Sequence, residues 1–251
     1  MNLLHSSLIA SDHLVAVYTQ RTGGVSKTPY ESLNLAFHVG DDPADVIENH
    51  NRLAKQLGYA RQNLIHMRQI HSDRICEIDK TMSFDAPPEC DALITNLANI
   101  PLMVMSADCT PILLHDPVSG SIGAVHAGRA GALSEILPKT IRAMHENYGS
   151  RIEDMLISFG PSIHGCCYEI NESIAQEVIT QGYDSALRYN GSSIYLDVNT
   201  ILKQQLNHLN FPSEHLEVID ACTSCQSDRF FSYRAAHRTT GRIAGVIMLR
   251  S

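Results

Sequence analysis

The chain has 251 residues, 44% of them hydrophobic and 18% charged, enough apolar material to bury a sizeable core as one large domain or two small ones. Its formal charge of −8 excludes broad binding to nucleic acid or to an anionic membrane, which requires a net positive surface, but leaves room for a small anion held by a local cluster. Arginine outnumbers lysine by 14 to 5, and the planar guanidinium is the better bidentate partner for phosphate or carboxylate.

The first twenty residues lack a basic stretch followed by a long apolar one, and no run approaches the roughly 20 apolar residues of a membrane span. Seven cysteines, an odd number, suit a reducing compartment better than a disulfide framework. The expectation is a cytoplasmic protein with no membrane partner, a monomer or a weak homo-oligomer.

Residues 15–19 predict a first strand, followed by the loop Arg21, Thr22, Gly23, Gly24, Val25 and Ser26, whose amides are free to approach an anion. A helix follows, capped by Asp41 or Asp42, opened by Pro43 and ended by Gly58, with Val46, Ile47, Leu53 and Leu57 on its apolar face. Residues 63–79 alternate as one long strand or two with a break. His66 and His71 are five apart within it, a spacing that places at most one of them in a shared site. After turns around Pro87 and Pro88, residues 91–95 and 102–105 read as buried strands.

The stretch 101–131 holds the chemistry. Its apolar runs 111–116 and 121–127 flank Pro117, Val118, Ser119 and Gly120, a hairpin signal. Closed at Asp116 opposite Ser121, the hairpin sets Cys109 across from Gly128, with His126 two places along on the same face. Such diagonal neighbours lie about 7 to 8 Å apart at their α-carbons, so a thiol and an imidazole converge. As metal ligands with His71 they make a His₂Cys set with one open position; as a dyad, His126 activates Cys109 as a nucleophile. Spacing leaves both open. A single copper also suits these donors, although none of the thirteen histidines has another two places away, unlike the paired segments of blue multicopper oxidases.

A helical pattern follows Gly131 with Pro138 inside it, predicting a kink or a start near the proline. Next come a strand at 155–159, a loop with Cys166, Cys167 and Tyr168, a helix from Glu172, a strand at 193–196, a helix from Asp197 to about Leu209, a strand at 216–219 and a last strand at 243–249. Cys222 and Cys225 have redox or half-zinc spacing without a second such pair, and Cys166 and Cys167, being adjacent, would form only a strained bridge; neither pair is given a role. Arg234, Arg238 and Arg242 supply either anion-binding charge or a solvated face. With no repeat or linker, strands predominate in what reads as one α+β domain.

RTGGVS at 21–26, SLNL at 32–35, VGDD at 39–42, QIHSD at 69–73, ADCTPILL at 107–114, HAG at 126–128, GPSI at 160–163, CYE at 167–169, CT at 222–223, FFSYR at 230–234 and TGR at 240–242 resemble, in order and across almost the whole chain, the laccase-domain or YfiH-like family. The resemblance implies a single domain over 1–251 with a four-layer α/β/β/α sandwich, and zinc, with copper as the alternative, on His71, Cys109 and His126. It implies purine nucleoside phosphorylase chemistry on adenosine, inosine, guanosine and methylthioadenosine, with inorganic phosphate as co-substrate, and deamination of adenosine. His71, Cys109 and His126 are then the catalytic residues with Asp108 as candidate proton carrier, and Arg21, Asn34, Arg52, Gln69 and Arg234 are the expected substrate or phosphate contacts. The alternatives are a copper-dependent phenol oxidase, a Cys-His hydrolase and a non-catalytic zinc-binding protein linked to peptidoglycan editing. Two departures stand out. Family members usually continue His-Ala-Gly with Trp-Arg-Gly, whereas here Arg129, Ala130 and Gly131 follow and the chain has no Trp; and Ala235 stands where a further Arg is common.

Overall fold

A strand in which every residue is apolar or buried needs cover on both faces, and the central strands here are of that kind: Leu14–Thr19, Leu102–Ser106 and Ser121–Ala127 are buried throughout. The computed structural model, which describes residues 1–251, provides that cover with four layers. One sheet has the strand order Leu3–His5, Leu14–Thr19, Ile243–Leu249, Leu102–Ser106, Ile65–His66. The other runs Leu216–Val218, Leu156–Phe159, Thr110–Asp116, Ser121–Ala127, Ala92–Thr95, Ile75–Glu77. A small third sheet joins Glu169–Ile170, Ser193–Leu196 and Leu187–Asn190.

Alternation along the strands sorts the core. Leu14, Ala16 and Tyr18 meet Leu93, Leu113, Ile122 and Ala124 between the two large sheets. Their neighbours Val15 and Val17, with Met103, Met105 and Val246, face outward beneath helix α1, Pro43–Leu57, through Leu53 and Leu57. On the far side, Ile112, Leu114 and Val125 lie under α3, Ile136–Tyr148, and α5, Val198–His208. A short α2, Arg129–Leu133, precedes α3, and α4 spans Glu172–Thr180. The expected α/β/β/α sandwich is therefore present as an α+β fold, and each buried Leu or Ile contributes about 1.5 to 3 kcal/mol relative to exposure. No helix is long and apolar enough to cross a membrane.

Local signals act as their chemistry requires. Asp42 accepts a hydrogen bond from the Ala44 amide at the start of α1, and Gly58, at φ 76°, ends it. The helical run after Gly131 is broken by Glu135, at φ 59°, so Pro138 falls in the first turn of α3, where its missing N–H costs nothing. The 63–79 run is two short strands in different sheets, with His71 in the crossing between them. The hairpin pairs Asp116 with Ser121, Pro111 with His126 and Thr110 with Ala127, the register read from the sequence.

Candidate metal centre and cleft

Cys109 sits one residue before the Thr110–Asp116 strand, and His126 near the end of the Ser121–Ala127 strand, so the hairpin mouth delivers both. His71 arrives from the crossing between sheets with φ 58°, a left-handed conformation uncommon for a residue with a side chain. The donor atoms of His71, Cys109 and His126 all lie within 4.8 Å of one another. The His71 Nε2 is 3.9 Å from the Cys109 Sγ, and the two imidazoles are nearly perpendicular with centroids 4.9 Å apart. Gly128 makes room for them, because a Cβ there would stand 2.9 Å from the Cys109 Sγ and 3.2 Å from the His71 Cδ2.

Asp91, which sequence reasoning treated only as the start of a strand, organises both histidines. Its carboxylate accepts from the His126 Nδ1 at 2.9 Å, from the His71 amide at 3.1 Å, and from the Ser72 amide and hydroxyl at 2.6 and 2.8 Å. It thereby shapes the turn that carries His71 and fixes His126 with Nε2 free to act as a ligand. The only signal in the sequence is a charged residue opening the otherwise apolar run 92–94. Burial works against the ionised carboxylate, but the donors from His126 and Ser72 outweigh it and hold Asp91 at about 2.

The same contest decides the thiol. Burial opposes ionisation of Cys109, yet the charge and hydrogen bond of His126, followed by the hydrogen bond of His71, bring it down to about 6. Burial likewise disfavours protonated His126, while Cys109 and Asp91 raise it to about 9. Both shifts favour a thiolate beside an imidazolium, and the two groups titrate as a pair.

The three donors lie in the floor of a cleft of about 860 Å³, the size of small-molecule sites. Four arginines line it, Arg129, Arg234, Arg238 and Arg242, together with Tyr168 and Tyr233. This concentrates positive charge locally on a chain that is negative overall. The Arg234 guanidinium lies 5.3 Å over the Tyr168 ring and donates to the Glu169 carbonyl. Arg129, in the place of the usual Trp, lines the cleft and binds Glu177 at 2.5 Å. The sequence leaves Arg238 and Arg242 between anion-binding charge and a solvated face and gives Tyr168 no role; the segment 219–242 brings the first two to the cleft, and the loop before Glu169 brings the third.

Of the other expected site residues, Gln69 lines the cleft, with its amide committed to both polar groups of the Met105 backbone at 2.8 Å. Asp108, at φ 98°, is also on the wall, but one oxygen accepts from the Thr223 hydroxyl and the other from the Arg234 amide, each at 2.7 Å. Three expected contacts, Arg21, Asn34 and Arg52, are not among the residues that line the cleft. Arg21 binds the Glu31 and Ser227 carbonyls and stacks on Phe231, Asn34 is fully buried between Ala36, Asp41 and Arg242, and Arg52 pairs with Glu48 on the exposed face of α1. In each case the polar group is taken up by neighbouring backbone or by a side chain outside the cleft.

A family model described as multi-copper polyphenol oxidoreductase laccase matches residues 15–250. Among proteins of assigned name, a purine nucleoside phosphorylase of Corynebacterium glutamicum is 39% identical over 236 residues, 93% of each chain. One of Streptomyces coelicolor is 37% identical over 232 residues, 92% of this chain and 94% of its own. The crystal structure of YlmD from Geobacillus stearothermophilus superposes with a TM-score of 0.93 at 30% identity, covering 100% of this chain and 97% of that one. That of YfiH from Bacillus licheniformis gives 0.90 at 30% identity over 94% and 93%.

Proposed function

This chain belongs to the laccase-domain family, and from that premise we propose that it is a zinc-dependent purine nucleoside phosphorylase acting on adenosine, inosine, guanosine and methylthioadenosine. The observation that carries the reading is a His₂Cys donor set in the floor of an arginine-lined cleft, in a chain 39% identical to a protein named for that reaction.

The donors suit zinc. Two imidazoles and one thiolate are its ordinary ligands, three protein donors leave a fourth position open, and Asp91 provides the carboxylate behind the ligand histidine that such sites use. Zinc bound to His71, Cys109 and His126 supplies a Lewis acid toward a substrate oxygen or nitrogen. The chain's own residues do the rest. Arg234, Arg238, Arg242 and Arg129 hold phosphate through charge-assisted hydrogen bonds, and Tyr168 and Tyr233 offer aromatic faces to the base in place of the missing Trp. In phosphorolysis an oxygen of hydrogen phosphate forms the new bond to ribose C1′ as the C1′–N bond breaks, and the proton of that phosphate passes to the departing base. Asp108, with both oxygens bonded, acts as a tie that holds Arg234 and Thr223 against the hairpin mouth rather than as the proton carrier. Deamination of adenosine is assigned to the same centre as a second activity.

The test is phosphate-dependent release of adenine, with ribose 1-phosphate, from adenosine by zinc-loaded protein. Activity that falls at least a hundredfold in Cys109→Ala supports the reading, whereas turnover unchanged in that variant removes it. The family description and the soft thiolate favour one second reading, a copper phenol oxidase. Oxygen uptake with a phenol that requires added copper would establish it.

A further inference from the structure

Four cysteines that the cleft chemistry does not use converge elsewhere. The sulfurs of Cys166, Cys167, Cys222 and Cys225 all lie within 4.8 Å of one another. Three of the spacings are 3.7 Å for Cys166 to Cys167, 3.6 Å for Cys166 to Cys225 and 3.3 Å for Cys167 to Cys225. Four thiolates around one zinc at about 2.3 Å stand about 3.8 Å apart at the corners of a tetrahedron. None of the seven cysteines is in a disulfide, and a bridge between the neighbours Cys166 and Cys167 would be strained. The sequence hid this set because its members fall in two pairs more than fifty residues apart, and one pair is adjacent rather than spaced as Cys-x-x-Cys.

We propose that Cys166, Cys167, Cys222 and Cys225 form a second metal site, a structural tetrathiolate for a single thiophilic divalent cation of the zinc class, which clamps the arginine-bearing wall of the cleft. The ion displaces the thiol protons as the four metal–sulfur bonds form, with no change of oxidation state. A two- or four-iron cluster does not fit, since it spreads its thiolates over different irons and so sets some of them farther apart than the 4.8 Å that encloses all four sulfurs here.

The position of the site says what it is for. Between the strand ending at Val218 and the one starting at Ile243 the chain has no helix and no ladder strand, yet it contributes Tyr233, Arg234, His237, Arg238 and Arg242 to the cleft. A segment that long without regular structure needs ties. Those present are the Ser162–Cys222 bridge, the Ser227 and Arg229 carbonyls bonded by Arg21, the buried Phe230 and Phe231, the Thr223 and Arg234 bonds to Asp108, the Arg234 bond to Glu169 and the Arg242 bond to Asn34, and none of them holds Cys225 to the loop of Cys166 and Cys167. An ion on Cys222 and Cys225 joins this segment to the loop of Cys166 and Cys167, whose next residue is Tyr168. Cys222 is buried, while Cys166 and Cys225 are exposed, so the site opens to solvent on one side for entry of the ion. A structural site closed by four protein ligands has no place for substrate, unlike the three-ligand set in the cleft.

The inference does not depend on the nucleoside reading and is tested without an activity assay. Full-length protein purified under reducing conditions is loaded with zinc or cobalt, freed of excess, and its metal counted per chain. Two equivalents are expected for the wild type, and one for both Cys109→Ser and the double variant Cys222→Ser, Cys225→Ser. In the cobalt form, Cys109→Ser retains the intense charge-transfer bands of four thiolates, whereas the double variant keeps only the weaker band of the single Cys109 thiolate. With metal bound, residues 219–242 should resist protease, and a chelator should expose them. The wild type and Cys109→Ser suffice should the double variant fail to fold. One equivalent in reduced wild type, a cobalt spectrum without tetrathiolate bands in Cys109→Ser, or a stable disulfide between Cys167 and Cys225 in protein alkylated at lysis would each overturn the proposal.

Discussion

Asp91 shows how one buried carboxylate serves two ligands at once. It sets the orientation of His126 through a side-chain bond and the backbone of His71 through its amide, so its loss disturbs two corners of the centre. Asp91→Asn is expected to weaken zinc binding by about 10- to 100-fold, as loss of partners behind a ligand does elsewhere, measured by competition with a chromophoric chelator. Because Asp91 is held at about 2, below its ordinary 3.8, the stability it contributes is complete above about pH 4 and is lost as pH falls through 2. Cys109 is shifted in the same low direction, so in metal-free protein its thiolate absorbance should develop well below the usual thiol range near 9, and His126→Gln should move that midpoint up. Gly128 is a second point of control. A methyl group there meets both the sulfur and the His71 ring, and Gly128→Ala should abolish binding at the three-ligand centre while leaving the circular dichroism spectrum unchanged.

At the level of the element, the hairpin is the part that cannot slip. A shift of one residue between Thr110–Asp116 and Ser121–Ala127 would turn His126 to the opposite face and exchange the inner and outer halves of the core. The helices packed on that sheet supply stability without touching the chemistry. Leu137→Ala in α3, a fully buried side chain, should cost about 2 to 5 kcal/mol in denaturant unfolding while leaving the metal content per folded chain unchanged. Residues 63–79 show the limit of reading elements from pattern. Their alternation is real, but the two halves join different sheets, and the crossing, where the pattern says least, is where His71 lies.

For the molecule as a whole, the opposition of a negative chain and a positive cleft is the feature with functional reach. Four arginines on the wall should make phosphate binding depend steeply on salt, and Arg238→Ala should raise the KM for phosphate several-fold with little change in kcat, read from initial rates of adenosine phosphorolysis at two ionic strengths. The sandwich itself follows from strands with both faces apolar, each needing a layer on either side. The α+β class, hairpin register, helix caps and the meeting of Cys109 with His126 were legible in the residues themselves, because all of them rest on local periodicity or on contacts set by a short turn, whereas the four-layer sandwich and the place of His71 were implied by the family resemblance. Arg234 was legible as a substrate contact, but Asp91, the wall position of Arg129, the choice between cleft and solvated face for Arg238 and Arg242, and the four gathered cysteines were not, and Arg21, Asn34 and Arg52, expected as substrate contacts, lie outside the cleft. Those positions depend on how distant loops pack over the ends of the sheets, and loop packing is governed by long-range geometry that no repeat of two or 3.6 residues encodes.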